Sequence, residues 1–152
     1  MKSRELTSRS IFKEMGKVRR RFDAFAVRTE RGAIMMLSPN SDVLPSVVHI
    51  DEIRVPESMR GRGIASEALV MLCRFADKYQ FRLEGGPVGW SDCPWSGKFV
   101  AWLRQFGFTK DPEPPAVHAD DPAVFNVRRR PKRQTAVISQ GQVKSQRAAP
   151  IR

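Results

Sequence analysis

Residues 47–69 constrain the fold most, because the pattern there changes within a few residues from a strand period to a helix period. Val47, Val48, Ile50, Ile53 and Val55 are β-branched and suit a pleated, half-buried surface. Pro56 has no N–H to give to a ladder and ends the strand. Arg60, Gly61, Arg62 and Gly63 follow, then an apolar run at Ile64, Ala68, Leu69, Met71, Leu72 and Phe75 with helical spacing. Glycines let successive backbone N–H groups converge on one spot, and a helix N-terminus adds unpaired N–H groups and a partial positive charge. With Arg60 and Arg62 beside it, the turn suits a di-anion such as a pyrophosphate. The plain alternative is a strand-to-helix turn with solvated arginines. The turn is not the dinucleotide fingerprint, since Ser66 stands where the third glycine belongs, and it lacks the Gly-Lys-Ser/Thr of a P-loop.

The rest of the chain supplies a fold around this stretch. Its 152 residues make about one domain, and 41% apolar content suits a globular core. Ser8 or Ser10 is placed to cap a first helix whose apolar face is Ile11, Phe12, Met15 and Val18, with Arg19, Arg20 and Arg21 near its end. Residues 22–29 and 33–37 read as a hairpin around Glu30-Arg31-Gly32. The central strand covers about 47–55 and a helix about 63–78. A short strand at 81–84 is cut off by Gly85-Gly86-Pro87. A second amphipathic helix over about 96–105 ends at Gly107, and short strands are expected at Phe108-Thr109 and at residues 123–127. The fold class is therefore α/β (α+β): a mixed, mostly antiparallel sheet flanked by helices.

Within this order, Arg60-x-x-Gly63-x-Ala65 after the strand ending at Val55 resembles the acyl-CoA loop of the GCN5-related N-acetyltransferases, whose signature is Gln or Arg, two residues, Gly, one residue, then Gly or Ala. Residues 102–108, an aromatic-rich helix end running into Gly107-Phe108, look like that family's late motif. The resemblance covers about residues 20–128. It implies an acyl-CoA N-acyltransferase-like sheet with a splayed pair of strands, and acetyl-CoA as co-substrate. It implies that Arg60, Gly61, Arg62, Gly63, Ile64 and Ala65 hold the pyrophosphate, and that the backbone of Ile53 and Val55 pairs with the pantetheine arm. Ser96 falls where the family often has an Asn touching the cofactor, and it also suits a helix cap. The N-terminal part is shorter than the family's, as if its first strand were missing.

Acetyl transfer to an amine calls for a base and for donors at the reacting carbonyl. The central strand offers His49, Asp51 and Glu52. Strict alternation puts His49, Asp51, Ile53 and Val55 on one face, and Ile50, Glu52 and Arg54 on the other. His49 is either the base, with Asp51 beside it, or a strand histidine satisfied by its neighbours. Glu52 either acts through a water or pairs with Arg54. Many family members carry a Tyr four residues before the late-motif glycine, and this chain has Leu103 there. The one tyrosine, Tyr79, reads as packing. Either the thiolate leaves with help from solvent, or Ser96 or Cys93 is the acid, or activity is low. Trp90 and Trp95 pack a loop or line an acceptor pocket. Asp111, Glu113, Asp120 and Asp121 form an acidic loop that either attracts a cationic amine or, the favoured reading, is solvated surface.

The net charge of +11 sits at the ends. Residues 128–152 hold eight Lys or Arg and no acid, residues 1–21 come to +6, and the middle comes to −3. The division expected is a basic helical segment at 1–21, an acetyltransferase-like domain at 22–130 and a basic tail at 131–152. Neither a membrane span nor a signal peptide is visible, and two cysteines follow no metal or redox spacing, so a cytoplasmic protein with no metal site is expected. Two functions compete. One is an N-acetyltransferase acting by direct attack of a primary amine, small molecule or protein, as monomer or homodimer. The other is a catalytically weak or inactive relative that engages nucleic acid or an acidic protein through its basic termini.

Overall fold

The computed structural model describes residues 5–88, 97–113, 115 and 124–133. The chain opens with helix α1 (Ser8–Lys13), followed by strands β1 (Lys17–Arg21), β2 (Ala24–Arg28), β3 (Ile34–Pro39) and β4 (Val47–Arg54). After a single 3-10 turn come α2 (Ile64–Tyr79), β5 (Arg82–Val88), α3 (Gly97–Arg104), β6 (Thr109–Lys110) and β7 (Phe125–Arg129). The strands form one sheet in the order β1-β2-β3-β4-β5-β7-β6. Only β4 and β5 run parallel, joined by the α2 crossover; the other pairs are antiparallel. The mixed, mostly antiparallel sheet read from the sequence is thus present.

The core lies on one face of the sheet. Phe25, Val27, Met35, Leu37, Val48, Ile50, Leu83 and Val127 alternate inward from the strands and are fully or almost fully buried. Against them pack Ile11 and Phe12 of α1, Leu69 and Leu72 of α2 and Leu103 of α3. Each such leucine contributes about 2 kcal/mol by leaving water.

The N-terminal reading needs correction. The first helix stops at Lys13, and Lys17–Arg21 is a strand, not the end of a helix. Gly16 explains the break: a Cβ there would lie 2.1 Å from the Arg28 carbonyl oxygen, so only glycine lets the chain pass β2 this closely. The cap is Thr7, whose side chain accepts from the Ser10 N–H, while the Ser10 hydroxyl oxygen accepts from the Thr7 N–H. Ser8 is buried and donates instead to the Ser41 carbonyl at 2.6 Å. A two-residue turn at Phe22-Asp23, with Phe22 at φ 52, joins β1 to β2. The sheet therefore has an edge strand where a missing one was expected.

Two further differences bear on the site. β5 runs through Gly85-Gly86-Pro87 to Val88 instead of ending at Glu84. Gly86 sits at φ 117, where an added Cβ would be 2.8 Å from Asn126 Oδ1, and the register with β7 shifts between Gly85 and Val88. The glycines make a bulge, not a stop. The last strand begins at Phe125 and includes Arg128 and Arg129. Arg129, 5% exposed, donates to both Asp77 oxygens at 2.9 and 3.1 Å and to the Phe106 carbonyl at 2.9 Å. Arg128 lies 3.7 Å from Asp111, which is buried and not solvated as expected. The first two cations of the basic C-terminal run are thus structural.

Candidate functional site

The parallel pair β4–β5 is hydrogen-bonded only from Val47–Arg82 to Ile50–Gly85. Beyond that, β4 continues to Arg54, and β5 continues along β7 to Val88–Phe125. The two strands part, as the splay implied by the resemblance requires, and among the described residues β4 from Asp51 onward has no strand on that side.

Below the split lies a cleft of about 280 Å³ lined by Ile53 and Val55, by Met59, Arg60, Gly61, Gly63, Ile64, Ala65 and Ser66, and by Trp102. Its floor is the turn into α2. Gly61 and Gly63 are left-handed, at φ 79 and 72, and nothing lies within 4 Å of a Cβ added at either. The first hydrogen bond of α2 runs from the Glu67 N–H to the Gly63 carbonyl at 3.0 Å. Among the described residues, the backbone N–H groups of residues 61–66 therefore have no acceptor in the chain. No side chain caps this helix. Arg60 is held in place by its Nε–H donating to the Val55 carbonyl at 3.2 Å. An open cradle of unpaired N–H groups at the start of a 16-residue helix, with an arginine on its wall, fits a pyrophosphate.

The residues predicted for that role are brought together with one exception. Arg62 is exposed and is not part of the cleft wall. Ser66, Met59 and Trp102 belong to the wall and were not predicted. Trp102 is fixed by its indole N–H donating to Ser66 Oγ at 3.1 Å. The aromatic content of the late motif was the available signal for it. Met59 has none in the sequence. Ser96, Cys93, Trp90 and Trp95 lie outside the described residues, as do Asp120, Asp121 and the tail beyond 133.

The strand half of the site departs from simple alternation. Across β3, Leu37 pairs with Ile50 and Met36 with Glu52, so Asp51 is an extra residue with no partner. This bulge flips the faces of everything after it. Ile53 pairs with buried Met35 and joins the core face, and Glu52 moves to the face that carries His49. Alternation had placed these two the other way round. His49 Nδ1 is 2.9 Å from Asp51 Oδ1, and the Ser38 hydroxyl donates to the other Asp51 oxygen. Burial pushes the Asp51 carboxyl up, but the hydrogen bonds from His49 and Ser38 and the charge of His49 outweigh it, leaving the carboxyl below its usual range. An ionised carboxylate only accepts, so the Nδ1–H of His49 donates and Nε2 is left facing away from Asp51 with a lone pair in the neutral ring. The pair is partly exposed, at 32% and 40%. Glu52 lies 4.0 Å from Arg54 in solvent, a weak contact.

Other candidates fall away. Leu103 is fully buried in the core and brings no proton to the cleft. Tyr79 donates to Glu14 Oε1 at 2.8 Å and stacks on Phe75, far along α2 from its N-terminus, as its packing role anticipated. Cys73 is buried, and burial pushes its thiol up to about 11. A larger hollow of about 680 Å³ between α1 and the β2–β3 turn contains none of the predicted site residues.

No family model matches the sequence, and no curated protein matches it by sequence. Solved structures similar to the chain include Naa20 of Chaetomium thermophilum in complex with a bisubstrate analogue, at 19% identity and TM-score 0.45, covering 74% of this chain and 68% of that one. Another is a structure titled histone acetyltransferase HPA2 and related acetyltransferase, from Corynebacterium glutamicum, at 13% identity and TM-score 0.48, covering 75% and 68%. Only the second of these two is called an acetyltransferase in its title. At these identities and scores the roles of residues rest on the geometry of this chain alone. Among the described residues no helix is long and apolar enough to cross a membrane.

Proposed function

We propose that the chain is an N-acetyltransferase that moves the acetyl group of acetyl-CoA to a primary amine by direct attack. The observation that carries this reading is the meeting of three features along β4: the unpaired N–H cradle at residues 61–66, the strand edge freed by the split from β5, and the His49–Asp51 pair on the same strand. Asp51 and Ile53 are about 7 Å apart along the strand, so a thioester arm lying on Ile53 and Val55 ends near the pair.

The chain's own groups divide the work. The N–H cradle and Arg60 take the pyrophosphate. The free β4 edge and the wall of Met59 and Trp102 orient the arm and exclude water from one side. His49 Nε2 receives the proton of the attacking amine, with the ring held in the useful tautomer by Asp51, which Ser38 orients in turn. Bound acetyl-CoA supplies an activated acyl carbonyl. The amine nitrogen bonds to that carbon, the carbon–sulfur bond breaks, and the departing sulfur takes a proton from water, since the position where many family members carry a Tyr is Leu103, without a hydroxyl.

Free-thiol release on an amine panel, with acetyl-CoA binding measured by calorimetry, tests the reading. His49→Gln is expected to lower kcat by about 100-fold, within the usual range for a general base, with acetyl-CoA affinity unchanged. Absence of acetyl-CoA binding at millimolar concentration would refute it.

A further inference from the structure

The three helices pack on one face of the sheet; the register of β1–β4 lays out the opposite face. Directly opposed residues share a face. Arg19 and Arg21 of β1 stand opposite Ala26 and Ala24 of β2. Ala26 is opposite Met36 of β3, and Met36 is opposite Glu52 of β4. Ser38 is opposite His49. This face is therefore a shallow trough floored by small or flexible side chains. The β1 wall carries only cations, and the β4 wall carries His49, Asp51 and Glu52, with Arg54 at its far end opposite Ile34. Arg28 of β2 lies on the same face, opposite Lys17. Among the described residues no helix covers the trough.

The β1 and β2 cations of this face are unspent, whereas Arg54, Arg82 and Arg128 on the same face are paired with Glu52, Glu84 and Asp111. Arg20, which points to the other face, is 3.5 Å from Asp42 and lies over the Phe25 ring. Among the described residues Arg19, Arg21 and Arg28 make no ion pair. Three strand spacings separate β1 from β4, about 14 Å. An extended peptide covers that distance in about four residues.

Building on the acetyltransferase reading, we propose that the acceptor is an acidic polypeptide segment. Its primary amine is presented at the His49–Asp51 pair, and carboxylates about three to five residues along are read by Arg19, Arg21 and Arg28. The charges decide between occupants. The carboxylates of Asp51 and Glu52 attract an ammonium group, while the β1 wall attracts carboxylates. A nucleic acid laid on the same arginines would bring its phosphates against Asp51 and Glu52. The chain's own residues 131–152 carry Lys and Arg without a single acid and are repelled by the β1 wall.

The test uses the full chain and two peptide sets, one with a free N-terminal amine and one blocked with a single lysine. Each set compares Glu, Gln and Lys at the third to fifth positions beyond the amine. Acidic peptides are expected to exceed their Gln isosteres in kcat/KM by about tenfold in at least one set, less at high salt. Arg19→Glu/Arg21→Glu is expected to reverse the preference and Arg19→Gln/Arg21→Gln to abolish it, with unchanged turnover of a small uncharged-tail amine. Equal rates on acidic and Gln peptides overturn the proposal while leaving the acetyltransferase reading standing. Anisotropy of a fluorescein-labelled acidic peptide keeps the two apart: absence of binding there overturns the proposal whatever the activity. Binding of an oligonucleotide in place of the acidic peptide, lost in the Arg19→Glu/Arg21→Glu variant, overturns it in favour of a nucleic-acid surface.

Discussion

Gly63→Ala is expected to weaken acetyl-CoA binding far more than it weakens the fold. An alanine Cβ at this position meets nothing within 4 Å, so the mutation brings no clash. Its cost to stability is conformational, because Gly63 is held at φ 72 and ψ 14. An L-residue in that region loses about 1 kcal/mol, which for a chain of this length lowers the melting temperature by roughly 4 °C. The effect on binding has a different origin. The new methyl group takes up open space at the start of α2, among the N–H groups proposed to hold the anion, and is expected to keep the anion from closing on them. Losing one charge-assisted hydrogen bond costs about 1.5–3 kcal/mol, which raises Kd by roughly 10- to 100-fold. Gly107→Ala is the matched control. Gly107 has φ 90, its added Cβ would make an ordinary 3.7 Å contact with Arg129 Nε, and it lies past the end of α3, outside the cleft. Calorimetric titration with acetyl-CoA and thermal unfolding are run on both variants. If both lose similar stability and both keep wild-type affinity, the turn is not the pyrophosphate cradle and the argument from residues 61–66 fails.

Asp77→Asn is expected to destabilise the fold by about 3 kcal/mol in urea titrations, because it leaves the almost fully buried Arg129 guanidinium without its carboxylate. Asp51 has a carboxyl depressed below its usual range, so its contribution to stability is full above about pH 4 and is lost as pH falls through the lower folded value. The stability difference between wild type and Asp51→Asn, measured by denaturation from pH 6 downward, should therefore shrink in that acid window; a difference constant with pH would contradict the pairing. Cys73, buried and with its thiol raised to about 11, should resist thiol reagents at pH 8 in a Cys93→Ser chain and react only as fast as the protein opens. Rapid labelling of the folded protein would show that the α2 packing is wrong.

Local signals carried well where a single element contained them. The turn into α2 at residues 60–65 was legible because two glycines, an arginine and a helix start stand next to one another. The hairpin between β2 and β3 and the ends of α2 and α3 were legible for the same reason. The N-terminus misled because Ile11, Phe12, Met15 and Val18 keep a helical spacing. What breaks that spacing is the approach of Gly16 to Arg28, a contact the sequence does not display. Arg128 and Arg129 counted only toward the charge of the C-terminal end, since their partners Asp111 and Asp77 are distant in the chain.

By itself, the sequence determined a turn rich in glycine and arginine between a β-branched strand and a helix, in a mixed α/β chain with its charge at the ends. Those are properties of neighbours along the chain: backbone freedom, caps and periodicity. Only the tertiary structure decided the chemistry beside the turn. The bulge at Asp51 exists because Ile50 and Glu52 pair with consecutive residues of β3, and it puts Glu52 on the His49 face and Ile53 on the core face. The opening between β4 and β5 exists because β5 bends with β7 after Gly85. Both features depend on which strands are paired and in what register. Residues far apart in the chain settle those pairings through hydrogen bonds and core packing.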